Sequence, residues 1–572
     1  MFEKTWNIIE TEEVETNLLQ SSLGINASLC NILTQRGICS YDEAKKYFRP
    51  QLSDLHSPWL MKDMKEAVAR VLLAVDKKEN ILIFGDYDVD GTTAVACMVD
   101  FLQKIYSKDH IEYYIPDRYR EGYGVSKAAI DYAEANNFSL IICLDCGIKS
   151  VDLIDHALSV AIDFIICDHH LPGEVLPAAI AILNPKQSNC NYPYKHLCGC
   201  GIGLKFIMAL CDTLSLEETE YLCYLDLTAT AIAADIVPLT GENRILAYFG
   251  LQKLNNDPCT GIRSLISLSG NKGIFTLKNV AFMIAPRINA AGRMGDGSLA
   301  VTLFLEKNPT EANKLATLLN EHNTNRKKTE LLIIEEAINI IETDSALLSK
   351  NSIVIFNPAW HKGVVGIVAA RLIERYYRPT IVLSQSAEII TGSARSVQGF
   401  DLYEAVHSCR EHLLAYGGHF AAAGMSLDTA NIIAFTKSFE DAVTATIKPA
   451  MLKPCIHING EIQFKNIRTG FYNIIMQMEP FGPENTKPIF VSRNVMDTGY
   501  SKIVKNDHIR FIVQQDNVIL TGIGFNLASK FHLIQNKNKV DIVFTIDENE
   551  WDGHKTLQMN IIDICLSETA IC

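Results

Sequence analysis

Apolar runs and segments of helical periodicity alternate between residues 63 and 183. Strands are predicted at 81–84, 111–115, 139–144, 162–167 and 180–183, and helices at 92–105, 126–136 and 149–159. A further helix is predicted to begin after Asp63, which would act as its N-cap with Glu66 as the capping-box partner. This alternation is typical of a doubly wound parallel sheet.

The predicted secondary structure changes twice along the remainder of the chain. Residues 311–342 have helical spacing without Gly or Pro, which predicts a bridging helix. A second α/β unit follows, with strands at 352–356, 380–384 and 389–394, helices at 364–377 and 401–414, a turn at 416–419, and a short strand and a helix within 420–449. Beyond Pro454 the pattern predicts a small barrel or sandwich, with short strands at 455–463, 489–493, 508–514, 517–524, 539–546 and 557–565 and one helix at 468–478.

These patterns together predict an α/β protein of several domains. The expected regions are an N-terminal region at 1–60 that packs on the first domain, a parallel-sheet domain at 61–310, a bridging helix at 311–342, a second α/β domain at 343–450 and a β-barrel at 451–572.

Composition narrows the class of protein. The 572 residues are 48% hydrophobic and 21% charged, and no apolar run is long enough to span a bilayer, so we expect a protein without membrane segments. The first residues are polar, unlike a secretory signal, and the 16 scattered cysteines suit a reducing cytoplasm. Cys198 and Cys200 favour a packed Gly-rich turn over a metal site, because no second pair lies nearby. The net charge of −14 argues against indiscriminate coating of nucleic acid but permits a local basic groove.

Acidic and imidazole groups follow the predicted strands at the points where those strands end. They are Asp86, Asp88 and Asp90 after 81–84, Asp145 after 139–144, and Asp168, His169 and His170 after 162–167. Because ligand sites of such sheets lie off the carboxyl ends of the strands, we expect these side chains to converge. Asp235 stands in an apolar run where an unpaired carboxylate would be costly, although Asp226 in the same run is a competing candidate.

This set of ligands is sufficient for two divalent cations. Carboxylate and imidazole favour Mn²⁺ or Mg²⁺, and no cysteine is placed to favour zinc. Two such ions can activate a water and stabilise a leaving oxygen, so hydrolysis of a phosphoester or phosphoanhydride is the expected reaction.

The motifs resemble the DHH phosphoesterase superfamily and, within it, the RecJ branch of single-strand-specific exonucleases. Asp168-His169-His170 is the superfamily signature, and the segments similar to RecJ sequences are 84–91, Asp145-Cys-Gly, 116–124, Ala234-Asp235-Ile-Val-Pro-Leu, 286–293, 392–396, 417–419 and 479–485. The resemblance implies an exonuclease that removes nucleotides from the 5′ end of single-stranded DNA in recombination and repair, with an OB-fold after two catalytic domains. An oligoribonucleotide or cyclic-dinucleotide phosphodiesterase of the same superfamily, and a nucleic-acid-binding scaffold without catalysis, are the alternatives.

The resemblance also implies roles for individual residues. Asp86, Asp88, Asp90, Asp145, His169, His170 and Asp235 would hold the metals, and which of the first three do so is left open. Asp168, His169, His170 and His419 would act in catalysis. Arg118, Arg287, Asn289, Arg293, Ser393, Arg395, Ser396, Gly417 and Gly418 would hold phosphates, although each arginine could instead form a surface ion pair.

His361 is a weaker candidate, and Phe490, Phe511 and Phe525 of the barrel are more often core residues than stacking platforms. The partners implied are single-stranded DNA, a helicase and a single-strand-binding protein, and we expect a monomer.

Overall fold

A computed structural model describes residues 3–386, 388–551 and 553–567. The chain divides into two compact units. The smaller unit comprises 3–7, 293–295 and 320–456, and the larger unit comprises 8–292, 296–319 and the described residues from 457 onward.

The N-terminal region is mainly helical. Its elements are β1 (Thr5–Ile8), α1 (Glu13–Leu23), α2 (Ala27–Thr34), α3 (Tyr41–Phe48) and α4 (Met64–Lys77). The buried residues of α1 to α3, including Leu29 and Leu33, share a core with the C-terminal strands. The predicted capping box of α4 is wrong, because Asp63 has a left-handed backbone and its carboxylate accepts from Ile182 N instead of from the helix.

A five-stranded parallel sheet forms the centre of the larger unit, as the alternating pattern predicted. Its elements are β2 (Asn80–Gly85), α5 (Val89–Ile105), β3 (Ile111–Tyr114), α6 (Lys127–Ala135), β4 (Phe138–Leu144), α7 (Val151–Ser159), β5 (Asp163–Cys167) and β6 (Ala181–Leu183). The strand order is β3-β2-β4-β5-β6, and the register places Ile83 beside both Tyr113 and Ile142. All five strands therefore end at the same edge of the sheet.

Helices follow the sheet. They are α8 (Gly199–Thr213), α9 (Thr219–Leu222), α10 (Leu225–Asp235), α11 (Gly241–Asn256), α12 (Thr260–Ser269), α13 (Leu277–Asn279), α14 (Ala285–Met294) and α15 (Ser298–Leu305). The Gly-rich turn predicted at Cys198 and Cys200 is instead the start of α8, with Cys198 as its N-cap. The apolar run before Asp235 is buried along α10, which ends at that residue.

The smaller unit contains most of the long helix and a mixed sheet. Its elements are α16 (Pro309–Thr343), which begins in the larger unit, α17 (Ser345–Ser349), β7 (Ile353–Phe356), α18 (Val365–Tyr376), β8 (Thr380–Ser386), β9 (Ile389–Arg395), α19 (Leu402–Ser408), β10 (Ala415–His419), β11 (Ala422–Asp428) and α20 (Ile432–Thr446). The strand order is β10-β11-β9-β8-β7. The turn predicted at 416–419 is wrong, because those residues belong to β10 and pair with β11.

The C-terminal strands close into a barrel. Strand β12 (Cys455–Ile458) precedes them and pairs with β1 in a separate two-stranded sheet. The elements of the barrel region are β13 (Gly460–Glu461), α21 (Thr469–Gln477), β14 (Phe490–Asp497), β15 (Lys502–Val504), β16 (His508–Gln515), β17 (Val518–Gly524), β18 (Lys539–Trp551) and β19 (His554–Leu566). Closure occurs because β14 pairs with both β18 and β16. Phe490 and Phe511 are fully buried core residues, whereas Phe525 is exposed. Among the described residues, no helix is both long and apolar enough to cross a membrane.

Candidate metal centre and phosphate-binding residues

Three carboxylates follow β2, and two of them, Asp88 and Asp90, bond to the starts of helices. Asp88 caps α5, because its Oδ1 accepts from Gly91 N at 3.0 Å. Asp90 is buried, and its two carboxylate oxygens accept from the first N–H groups of α8, at 2.7 Å from Gly199 N and 2.7 Å from Cys200 N. Each oxygen of Asp90 keeps a further lone pair, so these bonds orient the carboxylate without exhausting it.

Asp145 follows β4 in a strained backbone conformation. Its φ is 62°, in the left-handed region that Asp tolerates better than most residues. The backbone of α8 approaches it closely, since a Cβ added to Gly199 would lie 2.6 Å from both Cβ and Oδ1 of Asp145. Glycine is required at position 199 for this approach.

Asp168, His169 and His170 follow β5, and hydrogen bonds join Asp168 to His170. Asp168 accepts from Ile148 N at 3.0 Å, His170 N at 3.0 Å and His170 Nδ1 at 2.7 Å. These bonds hold the imidazole of His170 and leave its Nε2 as the ligand atom, an arrangement typical of metal-binding histidines. Asp168 therefore has the contacts of a residue that orients His170.

The imidazole of His169 lies close to carboxylates from three other segments of the chain. Its Nε2 lies 3.2 Å from Asp145 Oδ1, 3.6 Å from Asp235 Oδ2 and 3.9 Å from Asp90 Oδ2. Asp226, the competing candidate, lies elsewhere: its carboxylate accepts from Cys259 N and Leu227 N and fixes the end of a neighbouring loop.

Burial and mutual repulsion disturb the acidity of these groups. Burial, and then the neighbouring carboxylates, raise the pKa of Asp86, Asp145 and Asp235 well above the usual range, and raise the pKa of Asp90 to about 7. Burial opposes ionisation of Asp168 as well, but the hydrogen bonds from His170 and Ile148 outweigh it and lower the pKa. Four carboxyl groups of raised pKa that face one another favour a bound cation.

The donor set fits divalent cations. Three overlapping groups could each hold an ion, because their ligand atoms lie within 4.8 Å of one another: Asp86, Asp88 and Asp145; Asp90, His169 and Asp235; Asp145, His169 and His170. Within the described part of the chain, Asp86 Oδ1 and Asp145 Oδ1 are buried and accept no hydrogen bond. Buried oxygens without donors, beside imidazole nitrogens, are the environment that Mn²⁺ or Mg²⁺ would complete.

The phosphate-binding candidates of the larger unit contact different parts of the protein. The Arg118 guanidinium stacks on the Tyr87 ring, 4.8 Å from its centroid. Arg287 donates to the backbone carbonyl of Met283, four residues earlier, in the π-helical turn Val280–Ile284 that precedes α14. Asn289 Oδ1 accepts from Val89 N at 3.2 Å, so Asn289 positions the start of α5 beside Asp88 and Asp90.

The remaining candidates lie in the smaller unit. Arg293 donates to Gly363 O at 3.0 Å, Arg395 Nη1 donates to Ser393 Oγ at 2.9 Å, and Ser396 Oγ donates to Phe400 O at 2.8 Å. The strand register pairs Ala422 with Arg395 on one side and with His419 on the other. Gly417 and Gly418 precede His419 on the exposed strand β10. His361 Nδ1 accepts from Gly363 N at 3.1 Å.

Sequence reasoning missed several residues that support the metal centre. Tyr123 Oη lies 3.2 Å from His170 Nε2 and donates to Asp145 O at 3.3 Å. Asn184 Nδ2 donates to His170 O at 2.9 Å, and the positive charge of Lys186 acts on Asp235 and Asp168. Asn184 and Lys186 follow β6, so applying the strand-end rule to that strand would have found them.

Comparison with known proteins matches three parts of the chain to family models and most of its length to known sequences. Residues 80–232 match the family model of the DHH family, N-terminal domain, residues 349–445 match the DHHA1 domain, and residues 458–563 match the RecJ OB domain. The single-stranded-DNA-specific exonuclease RecJ of Bacillus subtilis (strain 168) is 35% identical over 98% of this chain and 71% of its own length. The RecJ of Escherichia coli (strain K12) is 30% identical over 94% of this chain and 95% of its own.

The structure also resembles a crystal structure of RecJ from Thermus thermophilus in complex with Mn²⁺. The TM-score is 0.84 at 25% identity, over 98% of this chain and 79% of the other.

Proposed function

Because the chain belongs to the RecJ family of DHH phosphoesterases, we propose that it is a metal-dependent exonuclease that degrades single-stranded DNA from its 5′ end and releases mononucleotides. The observation that carries the proposal is the meeting of Asp90, Asp145 and Asp235 around the imidazole of His169. These side chains follow three strands and end one helix, and a bound cation would explain why they converge. Burying several carboxylates together costs free energy when no cation compensates their charge.

The metals would be two ions of Mn²⁺ or Mg²⁺, held by Asp86, Asp88, Asp90, Asp145, His169, His170 and Asp235. When bound, such ions activate water and stabilise charge on a phosphoryl group. Asp168 would keep His170 in one tautomer, and the α8 N-terminus would keep Asp90 aimed at the site.

Phosphate contacts are proposed for the arginines. A guanidinium matches a phosphate with two parallel hydrogen bonds and reads no base sequence, which suits an enzyme that degrades any single strand. Arg395 donates to Ser393 Oγ, and strand β11 lies between Arg395 on β9 and His419 on β10. We propose that His419 approaches the scissile phosphate. Ser396, Gly417 and Gly418 would add phosphate contacts beside Arg395 and His419. The other proposed phosphate contacts are Arg118, Arg287, Asn289 and Arg293.

Further properties are proposed from the sequence. The cysteines of the described residues are free thiols, which suits a reducing cytoplasm. We propose a monomer with the domain bounds given above, and a helicase and a single-strand-binding protein as partners.

A length series of 5′-phosphorylated DNA and RNA tests the activity. Long DNA should lose mononucleotides from its labelled 5′ end in the presence of Mn²⁺, and duplex DNA should persist. Activity confined to di- to pentanucleotides would instead support the oligoribonucleotide phosphodiesterase, although the match of residues 458–563 to the RecJ OB domain favours the exonuclease.

A further inference from the structure

A cavity of about 330 Å³ lies in the larger unit, beside α3 and the start of α11. It is lined by residues other than those of the metal centre, among them Arg36, Lys46, Tyr47, Arg244 and Glu484. Its volume is at the lower end of the range of small-molecule sites, about 300–1,000 Å³.

Arg244 is an unusual buried cation. Only 5% of the residue is exposed, its Nη1 donates to Tyr47 O at 2.6 Å, and its Nη2 donates to Glu479 O at 2.9 Å. Its Nε is buried and, within the described residues, donates to no atom. A buried guanidinium with an unused donor is an incomplete arrangement, since buried charges are normally paired and fully hydrogen-bonded.

Other buried arginines pair with carboxylates, although Arg70 Nη1, like Arg244 Nε, is buried and donates to no atom of the described residues. Arg70 Nε lies 2.6 Å from Asp163, and Arg326 Nη1 lies 2.7 Å from Glu330. No carboxylate of the described residues lies within 4.0 Å of the guanidinium nitrogens of Arg244 or of its neighbour Arg36. Both positive charges are therefore compensated only by carbonyl oxygens, a phenol and a thioether.

Arg36 adds a second cation to the same cavity. Its Nη2 donates to Thr486 O at 2.7 Å, and its Cζ lies 5.9 Å from the centroid of the Tyr47 ring. The Cζ of Arg244 lies 4.0 Å from that centroid, so the two guanidinium groups share one aromatic ring. Two like charges this close repel each other, and an anion bound to both would offset the repulsion.

The acidic residues of the cavity do not supply this anion. Glu242 is neutralised by Lys205 Nζ at 2.7 Å and accepts from Tyr192 Oη and His56 N as well. Glu484 is exposed and Asp54 is half-buried, and the described residues contain no ion pair between either carboxylate and Arg36 or Arg244. Lys46, the third cation in the lining, is exposed. The two guanidinium groups are therefore left without a carboxylate partner in the cavity.

We propose that this cavity binds a small phosphate-bearing anion, a phosphate monoester, through Arg36 and Arg244. Two guanidinium groups and an ammonium suit a group with two negative charges and three terminal oxygens better than a carboxylate with one charge and two oxygens. The remaining volume accepts the esterified part of the ligand, and the Tyr47 and His56 rings in the lining give that part an aromatic surface.

Calorimetric titration of the full-length protein tests the site. The experiment is carried out with EDTA, so that divalent ions in the metal centre do not bind the probe. Inorganic phosphate and deoxyadenosine monophosphate are the probes, and both should bind saturably. Arg36→Met and Lys46→Ala should each weaken binding about tenfold, because each removes one charge-assisted contact.

Two variants serve as controls. Lys45→Ala removes the exposed neighbour of Lys46 that does not line the cavity, and Arg395→Ala removes a proposed phosphate contact of the exonuclease. Binding should be unchanged in both. Tighter binding of the nucleotide than of phosphate would identify a nucleotide as the ligand, and equal binding would identify the phosphate group alone.

Three results would overturn the proposal. They are the absence of saturable binding, loss of binding in Arg395→Ala with retention in Arg36→Met, and tighter binding of citrate than of phosphate. Lys46→Ala alters only an exposed side chain, so it keeps the test valid if Arg36→Met fails to fold.

Discussion

Asp145 Oδ1 lies 3.2 Å from His169 Nε2, although the two residues follow different strands of the sheet. Strands β4 and β5 are parallel neighbours, and the register pairs Leu144 with Cys167, so the residues after them emerge side by side. The contact is therefore a direct consequence of strand order, and both residues belong to the candidate ion-binding groups.

Replacement of Asp145 should abolish the metal-dependent reaction. Asp145→Ala removes a carboxylate shared by two of the ion-binding groups, so Mn²⁺-dependent nuclease activity should fall by more than about a hundredfold. Asp152→Asn, at an exposed position of α7, is the matched control and should keep full activity. Unchanged activity in Asp145→Ala would show that the metal centre is assigned wrongly.

Asp168 should act through His170. Asp168→Asn removes the negative partner of Nδ1, which lies 2.7 Å away, so the imidazole loses its fixed tautomer. The Mn²⁺ concentration required for half-maximal activity should rise by about 10- to 100-fold, with activity recovered at high Mn²⁺. A loss of activity that Mn²⁺ does not restore would mean that Asp168 acts on the substrate itself.

The stability of the metal-free protein should fall as the pH rises. Asp235 has a pKa raised by burial and by Asp90 and Asp88, so the folded protein holds its proton more tightly than the unfolded chain does. Its contribution to the free energy of unfolding is present below the unfolded pKa, about 3.9, and is lost as the pH rises through the folded value.

Urea unfolding in EDTA across this window measures the effect. Asp235→Asn, a neutral residue of the same shape, should lose less stability with rising pH than the unaltered protein. Saturating Mn²⁺ should reverse the trend, because the ion binds ionised carboxylates. Parallel pH profiles for the two proteins would contradict the raised pKa.

Arg395 should contribute one phosphate contact. Arg395→Ala should weaken binding of single-stranded DNA and reduce the slope of log affinity against log salt by about 0.7, the value for one phosphate on a single strand. Fluorescence anisotropy across a salt series measures both quantities. Arg410→Ala, at an exposed position of the same unit, is the control, and an equal slope in all three proteins would place Arg395 outside the groove.

Gly199 should tolerate no side chain. Gly199→Ala places a Cβ 2.6 Å from Asp145, so we expect the free energy of unfolding to fall by about 1–3 kcal/mol and Mn²⁺ affinity to fall with it. Gly201→Ala is the matched substitution in the same helix, where the nearest atom, Leu197 Cδ2, lies at 3.4 Å. That variant should keep its Mn²⁺ affinity, and equal losses in the two variants would show that helix flexibility matters instead of the approach to Asp145.

The sequence alone determined the alternation of strands and helices in the larger unit, the long helix α16 and the acidic and imidazole groups at the strand ends. These features are local, because a buried strand requires consecutive apolar residues and a helix requires apolar residues at a spacing near 3.6. Parallel strand order then fixes the edge at which Asp86, Asp145 and His169 emerge.

Only the tertiary structure decided which atoms meet. The sequence pattern predicts a turn at the start of α8, since nothing local shows that Gly199 and Cys200 donate to Asp90, a residue far earlier in the chain. The pattern predicts a turn instead of the strand Ala415–His419 for a related reason, because β-pairing depends on a partner strand that Gly417 and Gly418 do not reveal. The lack of a carboxylate partner for Arg36 and Arg244 among the described residues is likewise visible only once distant segments have packed, since compensation of charge is a property of neighbours in space.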